Sequence, residues 1–205
     1  MLTKVLHRLA AHPWVYDRIQ TLAGQEKLVE LLSREIAPLN PKVVVDIGGG
    51  TGSTRKLFTE DCRYICLDLE MPKLSGFRSK APTGLAVLGD ATSMPIIDSC
   101  ADMVVCKSVT HHMTNLMLER ALDESRRVLR VGGYMILLDA VLNKARFAGR
   151  VLWSLDRGSY PRSEHELQRK LSDRFKIIHW EKFAIYHEYV FGIGVRHSGA
   201  VRTND

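Results

Sequence analysis

The sequence predicts an α/β fold: a doubly wound, mostly parallel sheet with helices on both faces and one antiparallel strand from a C-terminal hairpin. Three observations lead there. Apolar runs alternate with helical patterns between residues 42 and 141, and repeated βα units build a parallel sheet covered on both sides. The first three runs end at or beside an aspartate, namely Asp46, Asp68 and Asp90. Segments 175–185 and 188–196 then read as two strands with a short connection, which a mixed sheet accommodates near an edge.

Residues 1–40 read as helix, divided at Pro13 and Gly24 and ended by Pro38 and Pro41. Val15, Ile19 and Leu22 share one face, as do Leu28, Leu31, Leu32 and Ile36. The continuous apolar run 42–47 is a strand buried on both faces, followed by a helix expected over about 52–60. A second strand over 63–67 closes at Asp68. A polar loop with Pro72, Gly76 and Pro82 leads to a short third strand at 84–88, and 102–106 is the fourth. Thr114 caps a long helix with Leu118, Ala121, Leu122, Ser125, Val128 and Leu129 on its buried stripe. Gly132 and Gly133 are expected to stop that helix before the fifth strand at 134–141. Residues 143–155 look helical, and Ser163 with Glu166 forms a capping box for a helix to about 173. Gly192 and Gly194 mark close packing or a bulge in the last strand.

The chain has 205 residues, 45% of them apolar and 25% charged, the balance of a soluble globular protein. No apolar run reaches membrane-spanning length; the best candidate, 134–142, is interrupted by Asp139. No secretory signal is expected, because the N-terminal stretch lacks an apolar core followed by a small-residue cleavage site. Cysteines 62, 66, 100 and 106 form no CxxC pair and have no nearby histidine pair. They read as small buried thiols in a reducing compartment, so a cytoplasmic location and no bound metal are expected. The net charge of +6 gathers in Lys144, Arg146, Arg150, Arg157 and Arg162. That patch suits an anionic substrate, a phosphate backbone or a lipid surface, and equally a plain solvated face. Leu2, Val5, Leu6 and Leu9 form an apolar stripe beside Lys4, His7 and Arg8, fit either for peripheral membrane contact or for packing on the protein body.

The stretch VVVDIGGGTGS, residues 43–53, carries the functional signal. A glycine loop between the first strand and the first helix lies at the carboxyl edge of the sheet, where doubly wound folds bind ligands. A dinucleotide loop requires G-x-G-x-x-G, but counting from Gly50 puts Arg55 in the third glycine's place. A P-loop is excluded because no G-K-[ST] is present. Asp46 at the entrance would repel a diphosphate and attract an ammonium. Asp68 stands where an acid accepts from ribose hydroxyls, and Asp90 where one accepts from an adenine amino group. Such a ligand has an amine, a ribose and an adenine but no phosphate, and S-adenosyl-L-methionine has these parts.

These stretches, with YICLDLE, LAVLGDATSMPIIDSCADMVVCKSVTHHM and ALDESRRVLRVGGYMILLDAV, resemble the successive motifs of class I S-adenosylmethionine-dependent methyltransferases. The closest group is the small-molecule, type 11 branch that includes quinone-biosynthesis enzymes, and the resemblance covers about residues 43–141. It implies a Rossmann-like fold and direct methyl transfer to a small-molecule or lipid-like acceptor. It also implies that Asp46, Gly48, Gly50 and Gly52 surround the amino-acid part of the cofactor. Asp68 takes the ribose, Leu69 lies against the adenine, Asp90 takes the adenine amino group and the Ala91 N–H a ring nitrogen. Cys106 and Lys107 lie near the methionyl part, although a small residue is commoner at 107. Tyr16 lies on a helix that covers the cofactor in relatives. On this reading residues 1–205 are one methyltransferase domain: a helical cover over 1–40, a cofactor core over 42–141, an acceptor side over 142–196 and a tail over 197–205.

His111 and His112 come after the fourth strand at the same edge and are the candidate general bases. Either one alternatively packs or orients the loop. Asp139, late in the fifth strand, faces the acceptor or is structural. His165 and His187 read as surface or core residues, while Arg157, Tyr160 and Arg162 could form a lid or bind an anionic acceptor. CKSVTHH after strand four is not the D/N-P-P-Y/F run of adenine and glutamine methyltransferases, and no Pro-Cys nucleophile stands there, which argues against nucleic acid as acceptor. Two other classes remain open: a non-catalytic S-adenosylmethionine-binding protein, and a nicotinamide-dependent oxidoreductase, which the third-glycine position and Asp46 count against. The oligomeric state does not follow from the sequence.

Overall fold

The computed structural model describes residues 25–142, 160–185 and 188–199. The expected helices over 1–24 and 143–155, Tyr16, His187, the Leu2–Leu9 stripe and the basic residues 144, 146, 150 and 157 lie outside these residues.

Seven strands form one sheet: β1 (Val43–Ile47), β2 (Arg63–Asp68), β3 (Leu85–Leu88), β4 (Ala101–Lys107), β5 (Leu129–Val141), β6 (Lys176–Ala184) and β7 (Glu188–Val195). Their order is β3-β2-β1-β4-β5-β7-β6. The pairs from β3 to β5 are parallel. β7 is antiparallel to both β5 and β6, so a single strand runs against the others. This is the mixed, doubly wound sheet that the hairpin predicts. The chain reverses direction between β1 and β4, leaving a crevice at their carboxyl ends, where ligands bind in such folds.

Both faces are covered. Helices α1 (Gln25–Ile36) and α2 (Met71–Lys80) lie on one, where Leu28, Leu32, Leu74 and Phe77 meet Val44, Met103, Val105 and Phe191. Helices α3 (Asn115–Val128) and α4 (Glu164–Ser172) lie on the other, where Leu118, Leu122, Leu167 and Leu171 meet Val45, Val104, Leu137 and Val190. Alternate residues of each central strand serve opposite faces, which is why these strands read as unbroken apolar runs. Thr114 caps α3 by accepting from the Met117 N–H, and Ser163 caps α4 by accepting from the Glu166 N–H.

Three local expectations are corrected. Residues 52–60 do not form a helix; turns lead into a single 3-10 turn at Arg55–Leu57. There the buried Arg55 guanidinium donates to the Phe58 and Thr59 carbonyls and closes the turn instead. The loop expected around Pro72 and Gly76 is helix α2: Pro72 falls in the first turn, where a missing N–H is harmless, and Leu74 and Phe77 anchor it. Gly132 and Gly133 do not end α3, which stops at Val128. They lie inside β5, where the pairing with β4 jumps from Ala101↔Leu129 to Met103↔Tyr134 and Gly132 takes φ +82°.

Candidate active site

The glycine loop leaves β1 with its backbone folded back on β2. The Gly48 and Gly49 N–H groups donate to the Leu67 carbonyl at 2.7 and 3.3 Å, the Gly50 N–H donates to Asp68 Oδ2 at 3.0 Å, and the Gly52 N–H donates to the Gly49 carbonyl at 2.9 Å. The Cys66 thiol donates to the Gly50 carbonyl. Two glycines are required sterically. Gly48 has φ +61°, and a Cβ there would lie 2.5 Å from Val109 Cγ2; Gly52 has φ +79°, and its Cβ would lie 2.3 Å from the Phe77 ring. The loop is therefore clamped between the β4 exit and α2.

Engaged amides of this kind make no phosphate cradle. A phosphate loop turns its N–H groups toward the ligand, whereas four of these already have partners in the protein. The surface beside them suits a neutral sugar and base. Asp68, at the end of β2, is held by the Gly50 N–H on one oxygen and the Glu70 N–H on the other, at 3.0 and 2.9 Å. The next residue, Leu69, leaves 64% of its surface exposed, an apolar platform next to that carboxylate. Asp90 is exposed beyond β3, with one oxygen accepting from the Thr92 N–H, and the Ala91 side chain is buried behind it.

Asp46 differs from the other two acids. Only 1% of its surface is exposed, and Oδ2 accepts a hydrogen bond from the Tyr64 hydroxyl across the β1–β2 pair. Burial pushes its carboxyl up to about 6, against the opposing pull of Tyr64 and Lys107. Burial, and then the Asp46 charge, hold Tyr64 well above the usual phenol range, so it remains a donor. Asp46 thus braces the base of the loop from inside. Lys107 closes β4 with 8% exposure; burial lowers its ammonium, while Asp46 and Asp139 pull the other way. Cys106, one residue earlier, is buried on the opposite face.

After β4 the chain turns through Ser108, at φ +56°, into the short turn Thr110–His112. Asp139, fully buried in β5, gathers that turn. Its Oδ2 accepts from the Thr110 N–H and hydroxyl at 2.6 and 2.5 Å, and its Oδ1 lies 2.5 Å from His111 Nδ1 and accepts from the Ala140 N–H. Burial would raise the Asp139 carboxyl, but His111 and Thr110 overcome it and hold it below the ordinary value. An ionised Asp139 makes Nδ1 the protonated nitrogen of His111 and leaves Nε2 as the basic one. The two candidate histidines are therefore unlike. His111 is buried and anchored; His112 is exposed, its ring 4.2 Å from that of His111.

Arg162 is not a surface cation. It is 5% exposed and donates to the Thr110 and Met113 carbonyls and to Asn115 Oδ1 at 2.7, 2.6 and 2.8 Å. It staples the histidine turn to the start of α3, which corrects its reading as an anion-binding residue. Tyr160 is half exposed and its N–H donates to the His111 carbonyl. His165 is exposed on α4. Residue spacing alone does not pair Tyr64 with Asp46 or set Val109 over Gly48; the strand register does.

Among the described residues no group of His, Cys, Asp or Glu could hold a metal ion, and no helix is long and apolar enough to cross a membrane. Residues 45–137 match the family model described as "Methyltransferase domain", type 11. The chain is 31% identical over 151 residues to malonyl-[acyl-carrier protein] O-methyltransferase of Methylococcus capsulatus, covering 67% of this chain and 52% of that protein. It is 24% identical over 152 residues to demethylmenaquinone methyltransferase of Thermotoga maritima, covering 72% and 66%. The chain thus spans less than two thirds of the length of these curated relatives. The solved structure of the PH0226 protein from Pyrococcus horikoshii superposes with a TM-score of 0.71 at 16% identity, over 89% of this chain and 91% of that one, and shares the fold.

Residues 45–137 thus form a methyltransferase domain similar to the type 11 branch of the S-adenosylmethionine-dependent methyltransferases. The cofactor implied by that domain carries no phosphate, and the residues present fit it: the Gly48, Gly49, Gly50 and Gly52 amides donate within the protein, while the Asp68 carboxylate lies beside the exposed Leu69.

Proposed function

We propose that this protein transfers a methyl group from S-adenosylmethionine to a small-molecule acceptor that must give up a proton, a hydroxyl foremost. The observation that carries the reading is the buried Asp139 carboxylate on Nδ1 of His111, in the turn that follows the carboxyl end of β4. A methyl acceptor of low acidity needs a base, and an imidazole held by a buried carboxylate is one. The Methylococcus relative is named an O-methyltransferase, so an oxygen acceptor occurs among the proteins similar to this chain.

S-adenosylmethionine supplies an activated methyl group on a positive sulfur. The chain's own residues do the rest. Asp68 and Asp90 hold ribose and adenine against Leu69 and Ala91, while Gly48, Gly50 and Gly52 let the loop approach the ligand, with Asp46 bracing it. Cys106 and Lys107 border the amino-acid end, and Tyr16 belongs to the proposed cover. His111 takes the acceptor's proton on Nε2 while Asp139 stabilises the resulting imidazolium, and His112 borders the acceptor. Alignment and exclusion of water supply much of the remaining rate. A cytoplasmic setting is part of this reading, as the four cysteines are free, and so is a single domain over residues 1–205. A lipid-like acceptor and peripheral membrane contact are further parts of this reading, the contact resting on the Leu2, Val5, Leu6 and Leu9 stripe of the sequence.

The test is labelled-methyl transfer from S-adenosylmethionine into a cell extract, with mass analysis of the product, for wild type and His111→Ala. Label in an O-methyl product that disappears with the variant supports the reading. Transfer that is unchanged in the variant removes His111 as the base, and no transfer by a protein that binds the cofactor leaves a binding protein.

A further inference from the structure

Lys107 is the unusual feature of the crevice: a buried ammonium at the end of a central strand. Its location comes from the register. Asp46 pairs with Val105 and Ile47 with Cys106, so Lys107 stands one place beyond, alongside Gly48. Strand alternation puts it on the same face as Val105 and Asp46. The two exits are in contact, since Val109 covers Gly48 closely enough to exclude a Cβ. Among the described residues, the charges acting on Lys107 include Asp46 from β1 and Asp139 from β5, which attract it, and Lys56, which repels it. A carboxylate and an ammonium thus flank the first glycine.

The loop itself has little for an anion. The amides of Gly48, Gly49, Gly50 and Gly52 donate within the protein. A carboxylate brought into this end of the crevice would lose water and find those four donors engaged, so it needs a cation. A purely cationic ligand end would be repelled by Lys107. A zwitterion, with its ammonium toward the Asp46 side and its carboxylate toward Lys107, matches both charges.

Resting on S-adenosylmethionine as the cofactor, we propose that Lys107 is a specificity-determining residue that takes the carboxylate of the ligand's α-amino-acid end, with Asp46 supplying the opposite field. The site then selects adenosine ligands that carry a whole amino acid over those that lack one.

Calorimetric titration tests this with S-adenosylhomocysteine, S-adenosylmethionine, decarboxylated S-adenosylhomocysteine and 5′-methylthioadenosine. Wild type should bind the decarboxylated compound about 10- to 100-fold more weakly than S-adenosylhomocysteine, the worth of one charge-assisted contact. Lys107→Met should lose about the same factor for S-adenosylhomocysteine and for S-adenosylmethionine while keeping its affinity for 5′-methylthioadenosine; Lys107→Arg should retain most of both. Equal binding of the carboxylated and decarboxylated compounds by wild type overturns the proposal without any variant. So does a Lys107→Met protein that binds S-adenosylmethionine more tightly and S-adenosylhomocysteine unchanged, which would mean that Lys107 repels the sulfonium. Failure of folded wild type to bind any of the four overturns the methyltransferase reading itself, and this proposal with it.

Discussion

His111 Nδ1 lies 2.5 Å from an oxygen of Asp139, a carboxylate with no exposed surface that also accepts both donors of Thr110. The pair joins the β4 exit to β5 and fixes which ring nitrogen carries the proton. Asp139→Asn should lower kcat by about 100- to 1,000-fold. Cofactor affinity should hold, and the acid limb of the pH–rate profile should move to lower pH, because the imidazolium loses its counter-charge. Steady-state kinetics from pH 5 to 9 check this; a purely structural role would leave the limb where it is.

Gly48→Ala should destabilise the protein by about 2–4 kcal/mol, from the left-handed φ and the overlap with Val109. Adding Val109→Ala should recover about half, since it relieves the overlap but not the backbone strain. Urea unfolding of the single and double variants measures both parts.

Much of this site is legible in the sequence, and the remainder is hidden for physical reasons. β1 and β2 announce themselves as apolar runs ending in acids because both faces of the sheet are covered. Helix α2 hides behind Pro72 and Gly76, which look like loop residues until Leu74 and Phe77 find the core. Residues 52–60 look helical, yet the buried Arg55 satisfies the Phe58 and Thr59 carbonyls and makes a longer helix unnecessary. The histidine pair stands out in THH, but only the β4–β5 register brings Asp139, 28 residues away, to His111 and separates it from His112. Arg162 reads as part of a basic patch because its partners are carbonyl oxygens, which sequence patterns do not show.

Asp46 should leave a signature in acid. Its folded carboxyl titrates at about 6 rather than at the ordinary 3.8. Between these values the folded state keeps a proton that the unfolded chain releases, so this residue's contribution to stability falls as pH rises from about 4 to 6, by about 3 kcal/mol at most. Asp46→Asn cannot titrate. The difference in unfolding free energy, wild type minus variant, should fall across that window and be level above it. A level difference throughout would contradict the buried, Tyr64-bonded state of the carboxylate.

Arg162→Ala should destabilise the protein by about 2–4 kcal/mol and reduce turnover, because two buried carbonyls and Asn115 lose their donor. Arg162→Lys should recover little, since one ammonium cannot span three acceptors. Thermal melts and single-turnover rates of both variants check this.

Asp68 gives the most direct test, because adenosine recognition without phosphate is the central claim. Calorimetry with S-adenosylhomocysteine and with NAD should show micromolar binding of the first and none of the second. Asp68→Ala should weaken the first by about 100-fold or more while the protein stays folded. Heat from NAD, or wild-type affinity in Asp68→Ala, would contradict the claim.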